Sequence, residues 1–132
     1  MKVNIFLCCV FFLSFACSAV DKNQFDDLLL ESTIAIVAKD YDKANQIVAK
    51  LLNDYQELTF GQKVEVLNTS LELSFINKNY KKSSYYGHKL FDLLGENDKY
   101  SKLRVKLKIR LCDSDDWSPA RTYFDDICKN IK

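Results

Sequence analysis

The sequence predicts an all-α fold of three antiparallel helical hairpins stacked on one another. The first observation is a recurring pair, an aromatic residue followed three positions later by a small one, with aromatic spacings of 39 and 37 residues. A period in this range is typical of stacked helical hairpins. Apolar residues after each pair follow helical spacing, and the chain has only 3 Gly and 1 Pro. The pairs are Tyr41/Ala44, Tyr80/Ser83 and Trp117/Ala120.

Residues 1–19 form a segment separate from the predicted domain. Lys2 is followed by an apolar stretch at residues 5–16, interrupted only by Ser14, and then by small residues. This pattern is typical of a secretory signal, with cleavage after Ser18 or Ala19. The stretch is shorter than the roughly 18 residues of a spanning helix, which argues against an uncleaved membrane anchor. We therefore expect a signal peptide at 1–19, a helical-repeat domain at 20–132, and a secreted or periplasmic protein.

Cys17 opens a second interpretation of this leader. A bacterial lipoprotein signal places a cysteine after a short box of the type Leu, small residue, Gly/Ala, and that cysteine is lipidated. Ala16 fits the last position of the box, whereas Ser14 and Phe15 depart from it. The alternative to release is therefore a lipoprotein anchored to a membrane through Cys17.

Charge and cysteine content narrow the range of partners and bonds. The formal net charge is +1, and Lys2 is the only charged residue of the leader, so the mature part is formally neutral. A neutral domain gives no reason to expect nucleic acid as a partner. Three of the five cysteines lie in the leader, which leaves Cys112 and Cys128. Two cysteines in an exported domain raise the question of one disulfide.

The first two predicted hairpins have recognisable helix boundaries. The first helix runs over about residues 25–38, and Asp40 is placed to cap the helix that begins at Tyr41. Thr59 and Gln62 have the spacing of a capping box at the start of the third helix. Asn79 can cap the fourth helix, which begins at Tyr80, and Gly95 is suited to end it.

The third predicted hairpin contains a segment whose residue pattern fits both a strand and a helix. Between residues 103 and 111 apolar residues alternate with Arg and Lys, which taken alone is the pattern of an amphipathic strand. On a helix the same apolar residues form two stripes, as a helix packed between two neighbours requires. The stripes are Leu103/Leu107/Leu111 and Val105/Ile109. We favour a helix over residues 101–112 because the repeat places one here, and Ser118 with Pro119 marks the start of the last helix.

This arrangement keeps Cys112 and Cys128 apart. Cys112 lies near a turn, and Cys128 lies about ten residues into the last helix, roughly 15 Å along its axis. A disulfide needs Cα atoms within about 7 Å. The hairpin arrangement therefore predicts no bond between them and places Cys128 in the core.

The recurring helices resemble those of the tetratricopeptide-repeat family. In that family the second helix of each unit begins with an aromatic residue, followed at fixed distances by a small residue and further apolar ones. The matching positions here are Tyr41, Ala44, Val48, Leu51 and Leu52; Tyr80, Ser83, Gly87, Leu90 and Phe91; and Trp117, Ala120, Phe124, Ile127 and Cys128. The resemblance implies a right-handed superhelix in which these residues are scaffold, with the small residue letting the two helices of a hairpin approach closely.

The resemblance covers nearly all of the mature chain but departs from the family pattern in two respects. The spacings exceed the family's repeat of about 34 residues. The small residue expected in the first helices is replaced by Glu31 and Leu71. The alternative is a six-helix bundle without superhelical stacking.

The residues predict no enzymatic chemistry. His88 is the only histidine, and no nearby carboxylate or nucleophile can be assigned to it. Adjacent acids such as Asp115 and Asp116 point about 100° apart on a helix and do not converge on one substrate atom. Cys112, Cys128 and His88 lack metal-ligand spacing. We therefore expect no catalytic residue, no metal and no cofactor.

A basic segment is the candidate partner-binding surface. It contains Lys102, Arg104, Lys106, Lys108 and Arg110. The resemblance implies that first helices line a concave face, where Arg104 and Lys108, one turn apart, would hold a carboxylate at a peptide end. The alternative is a solvated basic face.

These features together predict an exported, non-enzymatic module that binds a protein or peptide with acidic groups. The alternative is a lipid-anchored structural subunit of an envelope complex, with membrane contact only through a lipid on Cys17. The oligomeric state is left open.

Overall fold

The computed structural model of the chain describes residues 21–129. The leader, with Cys17, lies outside the described residues. Within 21–129 the chain is all-helical and has no strand. The α-helices are α1 Lys22–Val37, α2 Tyr41–Asn53, α3 Phe60–Ile76, α4 Tyr80–Gly95, α5 Ser101–Asp113 and α6 Asp125–Cys128. The 3₁₀ helices are Tyr55–Glu57, Asp98–Tyr100 and Asp115–Phe124, the last of which is called the C-terminal 3₁₀ segment below.

Helices that follow one another in the chain pack together. The closest pairs are α1 with α2 and α3 with α4, and α2 also contacts α3 while α4 contacts α5. The C-terminal 3₁₀ segment packs on both α4 and α5, and α6 packs on α5. The described residues therefore form two helical pairs, α1–α2 and α3–α4, followed by α5 and a compact C-terminal segment.

The turns inside the two pairs have the same geometry. Lys39 (φ 60°) and Lys78 (φ 58°) adopt the left-handed conformation. The next residue, Asp40 or Asn79, donates its N–H to the carbonyl five residues back at 2.9 Å. This is the Schellman arrangement of a helix C-terminus. The side chains of Asp40 and Asn79 then each accept the N–H three residues onward at 3.1 Å, so both predicted caps are confirmed.

The predicted start of α3 and end of α4 are also confirmed. Thr59 Oγ1 accepts the Gln62 N–H at 3.3 Å, and Gln62 Oε1 accepts the Thr59 N–H at 3.0 Å. These reciprocal bonds are the capping box, which satisfies backbone donors that a helix start leaves without partners. The last residue of α4 is Gly95.

The three small residues of the recurring pair are fully buried. Ala44, Ser83 and Ala120 have no exposed surface. The Ser83 hydroxyl donates to the carbonyl of Leu71 at 3.2 Å, so α4 lies directly against the backbone of α3. A larger side chain at these positions would push the neighbouring element away, because a filled core has no room to absorb it.

The largest part of the core joins α3, α4, α5 and the C-terminal segment. It contains Leu90, Leu111 and Phe124. The Phe124 ring packs so close to α4 that a Cβ added to Gly87 would lie 2.5 Å from its Cε1 atom. A smaller cluster around Phe25 joins α1 and α2 to α3. Beside the Phe124 ring, Gly87 therefore has room for a hydrogen atom but not for a side chain.

The segment at residues 101–112 is helical, as favoured from the repeat, and is not a strand. One stripe of α5 faces the core, where Leu107 and Leu111 are buried, while Leu103 at its start stays partly exposed. The other stripe was expected to pack against a second neighbour, yet Val105 and Ile109 are exposed. At 100° per residue these two side chains project on the side of α5 opposite its core. The helix is therefore apolar on two sides but buried on one.

The end of the chain departs from the predicted helix. Residues 115–124 form the C-terminal 3₁₀ segment with Pro119 inside it, so an α-helix starting at Ser118 and Pro119 was the wrong prediction. Phe124 (φ −119°, ψ 14°) interrupts the helical conformation before the short α6. Residues 115–128 therefore do not form one continuous α-helix.

The two cysteines outside the leader lie together in this arrangement. Cys112 and Cys128 form a disulfide with a Cα–Cα distance of 5.6 Å. The prediction of no bond was wrong because it assumed one straight α-helix leading to Cys128. Cys128 is half-buried beside the core, whereas Cys112 is buried. The bond counts against a regular third hairpin of the predicted kind.

Candidate binding site

A groove of about 370 Å³ lies between α3, α4 and α5. Its apolar lining comes from all three helices: Val64, Leu90, Leu94, Leu103 and Leu107. Its polar lining consists of Glu65, Asn68, Lys106 and Arg110. Such a mixture, mostly apolar with a few placed polar groups, is typical of sites that bind a side chain or a small ligand.

Arg110 fastens α5 to α3 at one end of this groove. Its Nη1 donates to Glu72 Oε1 at 2.9 Å and its Nη2 donates to Asn68 Oδ1 at 2.8 Å. The guanidinium also lies over the Trp117 ring at 5.4 Å from the centroid. Its Nε is buried without an acceptor among the described residues. The charge of Arg110 is therefore largely committed to a contact within the protein.

Arg104 also makes its contacts within the protein, on a different side of α5 from Arg110. Its Nε donates to the carbonyl of Phe91 at 3.0 Å, and its guanidinium lies 3.9 Å from the centroid of the Phe91 ring. It also passes close to Gly95, where an added Cβ would lie 3.0 Å from its Cζ. A cation near the last carbonyls of a helix is favourable because the helix dipole is negative there. Arg104 thus ties α5 to the C-terminal end of α4.

The five basic residues of the candidate surface therefore lie in three different environments. Lys106 and Arg110 line the groove, and Arg104 faces α4. Lys102 is exposed and Lys108 is half-buried, and neither lines the groove. The predicted pairing of Arg104 with Lys108 on one carboxylate would require Arg104 to leave its contacts with Phe91. Lys106 is the residue of this set best placed to meet a charge on a bound partner.

His88 has a carboxylate partner that the sequence did not reveal. Its Nε2 lies 2.8 Å from the Asp126 carboxylate, and its Nδ1 lies 2.8 Å from the carbonyl of Ser84. Burial lowers the pKa of His88, but the hydrogen bonds to Asp126 and Ser84 outweigh it and raise the pKa above the usual 6.5. The bond to His88 lowers the pKa of Asp126. No local signal links positions 88 and 126, which only the fold brings together.

Ser84, His88 and Asp126 lie close together, and their hydrogen bonds do not aim a lone pair of His88 at the Ser84 hydroxyl proton. Both ring nitrogens of His88 face oxygen acceptors, so the protonated ring, with an N–H on each, satisfies both. The Ser84 hydroxyl lies 3.2 Å from Nδ1 but donates to the carbonyl of Tyr123 at 2.9 Å. A base needs a lone pair aimed at the proton it takes. These hydrogen bonds link α4 to the C-terminal residues Tyr123 and Asp126.

Residues 21–129 show neither a metal-ligand cluster nor a membrane-spanning helix. Within this range no group of three or more His, Cys, Asp and Glu side chains is arranged to hold a metal ion. None of the helices described in this range is both long and apolar enough to span a bilayer.

Comparison with known protein families, with curated proteins and with solved structures gives no match to this chain. The function proposed below therefore rests on the groove geometry and on the charges around the groove.

Proposed function

We propose that this chain is an exported, non-enzymatic helical-repeat module that binds a protein or peptide in the groove between α3, α4 and α5. The observation that carries the proposal is the groove itself, with its apolar lining and with Lys106 as its cation. In the order of the repeat, α3 and α5 are the first helices of their units, which the tetratricopeptide resemblance implies would line the partner-binding face.

The partner's chemistry follows from the groove's lining. A volume of about 370 Å³ suits one or two bulky apolar side chains. Because Arg110 is already paired with Glu72, Lys106 is the cation for an acidic group on the partner. The groove also holds Glu65, which disfavours a second acid on the α3 side. We propose as ligand a segment with a bulky apolar residue beside a single carboxylate.

Two further observations support export and the repeat arrangement. Disulfides persist in oxidising compartments, and Cys112 and Cys128 are bonded. The two turns with Lys39 and Lys78 share one geometry, as expected of repeated units. The proposed superhelical stacking applies to α1–α4, followed by a divergent third unit.

The test is a peptide screen followed by variants. The processed chain is screened against random peptides displayed on phage, and an enriched peptide is labelled and titrated by fluorescence anisotropy. We expect enriched peptides to combine a bulky apolar residue with an acidic group. Leu103→Lys should weaken their binding by about tenfold or more, because burying one large apolar side chain is worth about 1.5–3 kcal/mol. Lys106→Glu should remove the preference for the acid.

Ile76→Lys is the matched control. Ile76 and Leu103 are similarly exposed, at 39% and 42%, but Ile76 lies at the end of α3 and does not line the groove. Arg104 and Arg110 are not substituted, since each holds α5 to a neighbour. If the enriched peptides bind Leu103→Lys as tightly as Ile76→Lys, the groove is not the binding site.

A further inference from the structure

Two helices of this protein carry apolar side chains on the face turned away from the core. On α1 they are Leu30, Ile34 and Val37, which are 60%, 59% and 78% exposed. On α5 they are Val105 and Ile109, which are 58% and 53% exposed. In each helix these residues are spaced three or four apart, so they form one stripe. Scattered exposed apolar residues are ordinary, but a stripe of them suits a contact with another molecule.

The charges around the two stripes have opposite sign. The α1 outer face consists of Leu30, Ile34 and Val37 with the exposed acids Asp26, Asp27 and Glu31. The α5 outer face consists of Val105 and Ile109 with Lys102, Lys106 and Lys108. Glu31 also makes a half-exposed ion pair with Lys43 on α2, which leaves Asp26 and Asp27 as the main acids. One face is therefore apolar and acidic, and the other is apolar and basic.

The two faces cannot satisfy each other within one molecule. The core side of α1 packs on α2 and α3, and that of α5 packs on α4, α6 and the 3₁₀ helices. Each outer face projects away from its own core, since its residues are about half a turn from the buried ones. A second copy of the chain presents both complementary faces at once.

We propose that copies of this chain associate head to tail, with the α1 outer face of one copy docked on the α5 outer face of the next. Pairing of like faces is disfavoured, because α1 against α1 opposes acids and α5 against α5 opposes lysines. A head-to-tail contact between two different faces generates either a ring or an open chain of copies. The inference does not depend on peptide binding in the groove.

The contact is small. The α1 stripe runs from Leu30 to Val37, or about 10 Å of helix at 1.5 Å per residue. An interface of this size lies below the roughly 800 Å² per partner of stable complexes, so association is weak and depends on concentration. Raising the salt concentration weakens it further, because part of the attraction is between exposed charges.

Sedimentation velocity over about 0.01–1 mM protein tests the proposal, with the full chain and the form beginning at Val20 measured in parallel. We expect a concentration-dependent series of species that shrinks as NaCl is added. Ile34→Lys should remove the α1 outer face and Ile109→Glu the α5 outer face, and each variant alone should stay monomeric. Mixed at equal concentrations, they should associate where neither does alone, since the intact α5 outer face of Ile34→Lys can dock on the intact α1 outer face of Ile109→Glu.

Ile76→Lys is the control, and three outcomes would overturn the proposal. Ile76→Lys, outside both faces, should associate like the unmodified chain. If Ile34→Lys or Ile109→Glu loses the helical circular dichroism, Val37→Lys or Val105→Glu replaces it on the same face. A chain that is monomeric at about 1 mM, a single variant that still associates with itself, or a mixture that forms no pair each overturns the proposal.

Discussion

Reduction of the Cys112–Cys128 disulfide is expected to lower the free energy of unfolding by about 3 kcal/mol. The bonded residues are 16 positions apart, so the bond closes a loop of 17 residues. Closing such a loop removes about 10 cal/mol/K of entropy from the unfolded chain, which at 25 °C corresponds to the stated free energy. The effect lies in the unfolded state, where the bond restricts the chain.

The assay is urea unfolding followed by circular dichroism, with and without dithiothreitol, on the processed chain. The midpoint should fall, and the slope of free energy against urea should rise because the reduced unfolded chain exposes more surface. For a domain of this size a 3 kcal/mol loss corresponds to a fall in melting temperature of about 10 to 20 °C.

The control is the double variant Cys112→Ala with Cys128→Ala. Dithiothreitol should leave its unfolding curve unchanged, and its stability should be close to that of the reduced chain. The reasoning is refuted if thiol titration of the unfolded, unreduced protein finds both cysteines free. It is also refuted if reduction changes the free energy of unfolding by less than about 1 kcal/mol, which is well below the loop-closure value.

Three further predictions concern packing, backbone and pH. Gly87→Ala should lower the free energy of unfolding by about 1–3 kcal/mol, because its Cβ would overlap the buried Phe124 ring; an unchanged urea midpoint would contradict the packing. Lys78→Gly should raise the melting temperature, since Lys78 has a φ of 58°, a conformation costing a non-glycine residue about 1 kcal/mol; a lower melting temperature would contradict the turn geometry. The pKa of His88 is raised and that of Asp126 lowered, so their pair should stabilise fully between about pH 4 and 6.5. The stability advantage over His88→Gln should decline as the pH rises through the folded pKa of His88, and fall again below about pH 4. It should stay below about 1 kcal/mol for so exposed a pair; an advantage that grows as the pH rises above about 6.5 would contradict the His88–Asp126 pairing.

Features decided by neighbouring residues were predictable from the sequence. Asp40, Asn79 and the Thr59–Gln62 box cap helices through bonds spanning three residues, so their chemistry is visible in a short window. The burial of Ala44 and Ser83 was predicted from the repeat, in which a small residue follows each aromatic one three positions later. The helical state of α5 required the repeat, because its alternating pattern alone favoured a strand.

Features decided by the path of the chain were not predictable. The break in helical conformation at Phe124 and the approach of Cys128 to Cys112 depend on tertiary packing. The contact of His88 with Asp126 spans 38 positions, with no pattern in between to signal it. For the candidate site, the sequence singled out the basic residues of α5 but did not show that Arg104 and Arg110 bind within the protein.

The disulfide also determines how a mechanical load would pass through the molecule. A pull applied at Lys129 reaches α5 through the covalent bond between Cys128 and Cys112, so the intervening loop carries little of the tension. From α5 the load passes to α4 and α3 through the core and through the contacts of Arg104 and Arg110. The C-terminal segment would therefore stay folded under tension until α5 itself separates from its neighbours.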